Sequence, residues 1–128
     1  MNGFLLDSDV LIWVLRNRQE TLQLLESLDA PMGISVISRA EIWAGAKEEE
    51  TKRIQELFEA LMSYPVENHI ADLAGTFFKK FKSTHRTLDL EDTLIAATAV
   101  HHHLILVTYN LRHFHLPELK LHPVQVLS

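Results

Sequence analysis

The segment Phe4-Leu5-Leu6-Asp7-Ser8-Asp9-Val10-Leu11-Ile12 decides the fold of this chain. Its first three residues form a short apolar run, which predicts a buried strand that ends at Asp7. Apolar residues then return from Val10 to Arg16, where a helical region begins. A buried strand that ends on carboxylates and passes directly into a helix indicates an α/β domain with polar residues gathered at the strand ends.

The rest of the chain alternates in the same way between short apolar runs and helical patterns. Further strands are predicted at Gly33–Val36, Tyr64–Val66, Leu104–Val107 and Val124–Leu127. Further helices are predicted at Gln19–Leu28, Ser38–Ala46, Lys52–Met62, His69–Lys82 and Leu90–His101. Short strands that are apolar throughout are buried on both faces. We therefore expect a three-layer α/β/α fold with a central, mostly parallel sheet of four to five short strands.

Length and composition indicate one ordinary globular domain over residues 1–128. Hydrophobic residues make up 47% of the chain and charged residues 23%, a balance that excludes a disordered tail. No apolar run approaches the ~20 residues needed to span a bilayer, and Asp7 interrupts the first apolar stretch too early for a signal peptide. Cysteine is absent, which excludes disulfides and a cysteine nucleophile and favours a cytoplasmic location.

The net charge of −5 bears on possible partners. With 12 basic and 17 acidic residues, the chain is not a simple basic clamp for nucleic acid. A metal-dependent nuclease stays possible, because divalent cations can bridge acidic side chains and phosphate.

Four oxygen-bearing side chains are predicted to meet at the carboxyl edge of the sheet. Asp7 follows the first strand, Glu41 lies in the first turn of the helix after the second strand, and Asp92 lies in the first turn of Leu90–His101. Asn110 comes three residues after Val107. In open parallel sheets, ligands bind at this edge. Oxygen ligands suit hard cations, so a site for Mg²⁺ or Mn²⁺ is expected.

Each of these residues also has a purely structural explanation. Asp7 could cap the helix that follows it, and Ser38-Arg39-Ala40-Glu41 matches the pattern of a capping box. Negative charge at the start of a helix, as at Asp92, is favourable in itself, and Asn110 is a common turn residue. On this alternative the chain is a non-enzymatic interaction module. The hypothesis of a functional site rests on all four residues falling at one edge.

Four motifs resemble those of PIN domains, in order and spacing, from residue 4 to 126. They are Phe4-Leu5-Leu6-Asp7-Ser8-Asp9-Val10-Leu11-Ile12, Ser38-Arg39-Ala40-Glu41-Ile42, Leu90-Glu91-Asp92-Thr93-Leu94-Ile95-Ala96-Ala97-Thr98-Ala99 and Thr108-Tyr109-Asn110-Leu111-Arg112-His113-Phe114. The third motif is the most specific. Small PIN proteins of this kind resemble the VapC toxins of VapBC toxin–antitoxin systems.

The resemblance implies an endoribonuclease that depends on Mg²⁺ or Mn²⁺. By resemblance, the metal-site and catalytic positions are Asp7, Glu41, Asp92 and Asn110, and the supporting positions are Ser8, Asp9 and Thr108. Asp9 stands where Asn is frequent and would add charge beside the metal. Asn110 is neutral where many members carry Asp, so one metal ion is better supported than two.

The resemblance also implies partners. RNA is the implied substrate, and a VapB-like antitoxin and a second copy of the chain are implied partners. The helices at 10–28 and 38–62 carry more apolar surface than one small sheet needs to bury, which agrees with such interfaces. A PIN nuclease that processes RNA without any antitoxin is the alternative within the family.

Basic side chains near the same edge are candidates for RNA contacts. Arg39, Arg86 and Arg112 fall near the predicted carboxyl-edge loops, and His113 lies close enough to Asn110 to border the site. His101-His102-His103 is interpreted as a helix C-terminus that interacts with the helix dipole, because adjacent helical positions point in different directions.

A second enzyme class shares part of the first motif. Asp7-Ser8-Asp9 after an apolar strand also resembles haloacid-dehalogenase phosphohydrolases, in which Asp7 would be the nucleophile and Asp9 the acid/base. That class needs a later lysine and an acidic pair. Beyond Thr108 the chain offers only Lys120 and Glu118, and it is short for that fold.

Overall fold

The computed structural model describes residues 3–83 and 88–122 of the chain. In these ranges four short strands alternate with six helices. The strands are β1 (Phe4–Leu6), β2 (Met32–Ser35), β3 (Met62–Tyr64) and β4 (Ile105–Val107). The helices are α1 (Ser8–Leu15), α2 (Gln19–Ser27), α3 (Val36–Ala44), α4 (Thr51–Glu59), α5 (Asn68–Phe81) and α6 (Leu90–His101), with 3₁₀ turns at Glu48–Glu50 and Leu111–His113.

All four strands run parallel, in the order β3-β2-β1-β4. β1 lies in the middle and pairs with β2 on one side and with β4 on the other, so the carboxyl ends of β1 and β4 are neighbours. The expected α/β class with a parallel sheet is confirmed. The predicted strand Val124–Leu127 lies outside the described residues. A single parallel bridge joins Leu106 to Leu121 beside β4.

The sheet separates two hydrophobic cores. Leu5 packs with α5 and α6, whereas Phe4 and Leu6 pack with α1, α3 and α4 on the other face. This division follows from the strand geometry, because successive side chains point to opposite faces of a sheet. All three residues are buried, which explains why β1 is apolar throughout rather than alternating.

Two predicted boundaries are wrong in a way that matters for the sheet. The third strand is Met62–Tyr64 and not Tyr64–Val66, and the helix before it ends at Glu59 rather than Met62. β3 is an edge strand, so it needs little apolar character, and Met62 is largely exposed. Its position is set instead by Tyr64, whose ring covers Gly33 of β2 so closely that a Cβ there would overlap it.

The start of α3 also differs from the prediction. The helix begins at Val36, and Ser35 is its N-cap, with the Ser35 hydroxyl accepting a hydrogen bond from the Ile37 N–H at 3.1 Å. The alternative explanation of Ser38–Glu41 as a capping box is therefore wrong. Glu41 lies in the second turn of α3, not the first, and is not engaged in capping the helix.

No helix among the described residues is long and apolar enough to cross a bilayer.

Candidate functional site

Asp7 lies at the carboxyl end of β1 and is almost completely buried, with 5% of its surface exposed. One carboxylate oxygen accepts the Ser8 N–H at 2.9 Å, which caps α1. The other accepts the Thr108 hydroxyl at 2.8 Å. The expected capping role is thus real, but it uses only half of the carboxylate. The second half joins β1 to the segment that follows β4.

Asp9 organises the turn after β4. One carboxylate oxygen accepts the Val10 N–H at 2.8 Å, and the other accepts the Tyr109 N–H at 2.9 Å. The Thr108 hydroxyl lies 3.5 Å from that second oxygen and also accepts the Asn110 N–H at 3.0 Å. Both carboxylate oxygens of Asp9 therefore accept backbone hydrogen bonds, and these bonds hold the turn after β4 against α1.

Glu41 and Asp92 approach Asp7 from two further helices. The Ser8 hydroxyl donates to Glu41 at 3.3 Å, which links α3 to the start of α1. Asp92 lies in the first turn of α6, but Asp89 is the N-cap there and accepts the Asp92 N–H at 2.7 Å. Because Asp89 performs the capping, the Asp92 carboxylate is free for another role.

The carboxylates raise one another's pKa values. Desolvation raises the pKa of Glu41 to about 7, with further increases from the charges of Glu91 and Asp7. Desolvation also raises the pKa of Asp92 to about 7, with contributions from Asp89 and Asp7. The pKa of Asp9 rises to about 7 because of burial and the neighbouring Asp7. The charge of Asp7 is thus a common cause of all three pKa shifts.

Burial also raises the pKa of Asp7 above its ordinary value, although Thr108 and Ser8 act against the shift by hydrogen bonding. Acidic groups gathered in this way destabilise the folded protein once they are charged, unless a cation offsets them. In the charged state, the carboxylates of the site therefore repel one another.

One oxygen in the cluster has no hydrogen bond at all. Oδ2 of Asp92 is buried and accepts none, and Nδ1 of His113 lies 3.6 Å from it. An unsatisfied buried carboxylate oxygen beside other carboxylates fits a cation as its partner. Within residues 3–83 and 88–122, no three His, Asp or Glu side chains already stand in the geometry of a metal-binding group. The donor set therefore suits a hard cation in its chemistry, and closure around the ion would require side-chain rotation.

Asn110 lies at the same end of β4, but its described contacts are those of its backbone. It occupies the N-cap position of the Leu111–His113 turn without a side-chain capping hydrogen bond. Together with Tyr109, Arg112 and His115 it lines a cavity of about 510 Å³. The side chain of Asn110 is exposed, whereas that of Asp7 is nearly buried.

The basic candidates separate into three groups. His113 faces Asp92, and Arg112 is exposed and lines the same cavity as Asn110. Arg39 lies over the Phe58 ring at 4.4 Å and donates to Ser63 at 3.1 Å, so its guanidinium is engaged with α4 and β3. Arg86 lies outside the described residues.

Tyr109 is a site residue that sequence reasoning missed. Its N–H holds Asp9, and its hydroxyl lies 2.9 Å from that of Thr21, which is fully buried in α2. The Tyr109–Thr21 contact joins residues 88 positions apart, so no local pattern could have revealed it. Asp89 was recognisable, because an Asp three residues before Asp92 is a common N-cap signal.

Replacing Thr108 by Val tests the central hydrogen bond of the cluster. Val has nearly the same shape, but the buried Asp7 oxygen then loses its donor and the Asn110 N–H loses its acceptor. We expect the free energy of unfolding to fall by about 1–3 kcal/mol, measured by urea denaturation. Thr108→Ser keeps the hydroxyl and serves as the control. An equal loss of unfolding free energy in Thr108→Val and Thr108→Ser would show that the hydroxyl of Thr108 does not stabilise the fold.

Comparison with known proteins identifies the family of the chain. The PIN domain family model matches residues 4–119. Ribonuclease VapC10 of Mycobacterium tuberculosis is 38% identical over 112 residues, which cover 86% of this chain and 84% of that protein. Ribonuclease VapC19 of the same species is 33% identical over 113 residues, covering 86% and 90%.

Solved structures show the same fold. A toxin–antitoxin complex from Klebsiella pneumoniae contains a chain with a TM-score of 0.79 and 29% identity, covering 90% of this chain and 93% of that one. VapBC2 from Rickettsia felis, bound to a DNA fragment from its promoter, has a TM-score of 0.84 at 20% identity, covering 94% and 97%. A family model that spans nearly the whole chain, two curated relatives above 30% identity and the shared fold lead to one assignment: this chain belongs to the PIN domain family, in its VapC group.

Proposed function

We propose that the protein is a metal-dependent endoribonuclease and the toxin of a type II toxin–antitoxin pair. The observation that carries the proposal is the cluster of Asp7, Glu41 and Asp92, brought from β1, α3 and α6 to one edge of the sheet. These carboxylates repel one another, and one buried oxygen of Asp92 has no hydrogen bond. The named relatives are ribonucleases, and PIN ribonucleases generally depend on a divalent metal.

Mg²⁺ or Mn²⁺ is the ion that this donor set suits best, because all the donors are oxygens. Asp7, Glu41 and Asp92 would hold it, with Asn110 as a neutral fourth donor at the rim. Such an ion lowers the pKa of a bound water and offsets charge on the scissile phosphate. Three carboxylates and one amide support one firmly held ion better than two.

The other residues of the site position these groups. Thr108 and the Ser8 N–H orient the Asp7 carboxylate, and Asp9 holds the turn that carries Asn110. Arg112 lines a cavity with Asn110 and His113 faces Asp92, so we assign to these two residues the contacts with RNA phosphate. The engaged guanidinium of Arg39 argues against the same role for that residue.

The partners follow from the relatives. Several of the similar structures are VapBC or toxin–antitoxin complexes, which supports a VapB-like antitoxin as the partner of this chain. The partly exposed Ile12 and Trp43 lie on α1 and α3, where apolar surface is available for an antitoxin or a second copy of the chain. A homodimer, a cytoplasmic location and a single domain over residues 1–128 remain predictions.

The competing functions differ in what they require. Membership of the PIN family excludes the haloacid-dehalogenase hypothesis, because that class has another fold. An RNA-processing nuclease without an antitoxin is the alternative that remains. Expression of the chain alone should arrest growth, and co-expression of a neighbouring VapB-like gene should relieve the arrest. Normal growth of cells that contain active enzyme would favour RNA processing.

The decisive experiment for the chemistry is mapping of cleavage ends in total RNA. We expect new 5′ ends at defined positions when the purified protein and Mg²⁺ or Mn²⁺ are both present. EDTA should remove them, and so should the Asp7→Asn substitution. Cleavage that persists in EDTA and in the variant would overturn the proposal.

Divalent cations should stabilise the folded protein, because they bind the native carboxylate cluster and not the unfolded chain. At ~100 times its Kd, such an ion contributes about 2.7 kcal/mol, which corresponds to a rise in Tm of roughly 10 °C. Differential scanning fluorimetry with Mn²⁺ measures it. Asp7→Asn should abolish the rise, whereas Asp72→Asn, an exposed change of the same charge on α5, should not. No rise in the wild type would leave the non-enzymatic hypothesis in place.

The Tm of the metal-free protein should also depend on pH. The pKa values of Asp9, Glu41 and Asp92 are raised to about 7 in the folded state. Their stabilising contribution is therefore complete below about pH 4, where the unfolded chain titrates, and is lost as pH rises through about 7. We expect Mn²⁺ to restore most of this loss, so its effect on Tm should be larger near pH 7.5 than near pH 6. An equal effect at both values would contradict the assignment.

A further inference from the structure

Two histidines meet on the surface at the end of the molecule where α6 terminates. His69 lies in the first turn of α5, and His101 is the last residue of α6. Their Nε2 atoms are 2.7 Å apart, and their ring centroids are 4.0 Å apart. Adjacent histidines on a helix point in different directions, but the fold supplies a partner for His101 from another helix.

The contact constrains the chemical form of the two rings. A hydrogen bond between two Nε2 atoms needs one ring to donate a proton and the other to accept it. At least one imidazole in the pair is therefore neutral, which is the form that coordinates a metal. Both side chains are exposed, so an ion and its water ligands can reach both nitrogens.

We propose that His69 and His101 form a binding site for a divalent transition-metal ion of the Zn²⁺ or Ni²⁺ type, which clamps α5 to α6. Imidazole nitrogens suit these ions, whereas the carboxylates around Asp7 suit Mg²⁺ or Mn²⁺. Two nitrogens bound to one tetrahedral Zn²⁺ at about 2.0–2.1 Å each are roughly 3.3 Å apart, so the rings need to separate by only about 0.6 Å.

The charged groups around this corner act in both directions. Glu67, just before α5, acts on His102 as a negative charge, whereas His69, His101 and His103 act on it in the opposite sense. No third His, Asp or Glu of the described ranges completes a metal-binding group with the pair. Two protein ligands and water would therefore form the coordination shell, which implies a reversible site rather than a permanent structural one.

The pair is separate from the carboxylate cluster. Asp92 and His101 lie at opposite ends of the same helix, about 14 Å apart along its axis at 1.5 Å per residue. An ion that joins His69 to His101 would fix α5 against the helix that carries Asp92. This inference does not depend on the proposed ribonuclease activity, and it can fail while that activity stands.

Isothermal titration of tag-free protein with Zn²⁺ tests the proposal. The titration is made with Asp7→Asn protein, in which the carboxylate cluster is impaired, and repeated with the wild type. We expect one Zn²⁺ to bind Asp7→Asn protein. Adding His69→Gln or His101→Gln should weaken this binding by at least about tenfold, since losing a ligand costs no less than losing one of its hydrogen-bonding partners. His103→Gln, which removes a neighbouring exposed histidine, should leave it unchanged.

Imidazole NMR resonances of the wild type give a second readout that needs no variant to fold. Zn²⁺ should shift the Nε2 signals of His69 and His101 together. Unchanged signals for both rings, or equal Zn²⁺ affinity with and without the two substitutions, would overturn the site. The rate of magnesium-dependent RNA cleavage by the His69→Gln protein should match that of the wild type whatever the result of the Zn²⁺ titration. The Zn²⁺ site and the ribonuclease activity are therefore tested independently.

Discussion

Asp92→Asn should slow RNA cleavage by orders of magnitude while leaving the metal-free protein at least as stable as the wild type near pH 8. The substitution removes one of the charges that would hold the cation and compensate the transition state. We expect the rate of cleavage to fall by about 10²–10³-fold or more, the cost of removing one stabilising group in an active site. Quantified cleavage of a mapped RNA site measures the loss.

The stability half of this prediction has its own physical reason. The pKa of Asp92 is raised to about 7 by desolvation and by Asp89, so charging it opposes folding. An amide carries no charge, and the Asp92 N–H still has its partner in Asp89. The buried Oδ2 makes no hydrogen bond that the change could break. A structural carboxylate would behave in the opposite way, with stability lost and activity kept.

Two companion variants make the result specific. Asp7→Asn should reduce the rate of cleavage to the same extent. The charge of Asp7 raises the pKa values of both Glu41 and Asp92, so Asp7 is the acid that the other two share as a neighbour. Asp72→Asn removes the same charge from an exposed site on α5 and should cleave like the wild type. Full RNA-cleaving activity of the Asp92→Asn protein would contradict the assignment of Asp92 to the active site.

Phe114→Ala should cause the largest loss of stability of any substitution considered. Phe114 is completely buried and is the bulkiest fully buried side chain of the described residues. It follows the Leu111–His113 turn directly and anchors it in the core formed with α5 and α6. Truncation to Ala leaves a cavity, and we expect the free energy of unfolding to fall by about 3–5 kcal/mol.

Urea denaturation at fixed pH gives this value directly. Phe78→Ala is the matched control, because Phe78 is only partly buried on α5 and should cost clearly less. Phe114→Ala should also disturb the site. Phe114 anchors the turn that places Nδ1 of His113 3.6 Å from Oδ2 of Asp92. Similar losses in both variants would mean that Phe114 is not the anchor of this turn.

The parts of the fold that were predictable are those with a local cause. The apolar run at Phe4–Leu6 identifies a strand buried on both faces, and α6 begins and ends at the predicted residues, Leu90 and His101. The parts that failed have weak local signals. β3 is an exposed edge strand with little apolar character, and the capping pattern at Ser38 was outcompeted by Ser35, three residues earlier.

The candidate site divides along the same line. Asp7, Glu41 and Asp92 could be named in advance, because the ends of parallel strands and the starts of their return helices share one edge. The role of Asp9 could not, since its hydrogen bond to the Tyr109 N–H spans 100 positions in the chain. The same holds for Tyr109, whose hydroxyl meets Thr21 of α2.

By itself, then, the amino-acid sequence determined the order of strands and helices and the edge at which acidic side chains gather. Hydrophobic periodicity and strand direction act over a few residues, so they can be read along the chain. Only the tertiary structure decided which groups are in contact. Asp9 accepts a hydrogen bond from the Tyr109 N–H, the guanidinium of Arg39 lies over the Phe58 ring, and His69 contacts His101. Such contacts depend on how helices far apart in sequence pack across the sheet, and no short segment encodes that packing.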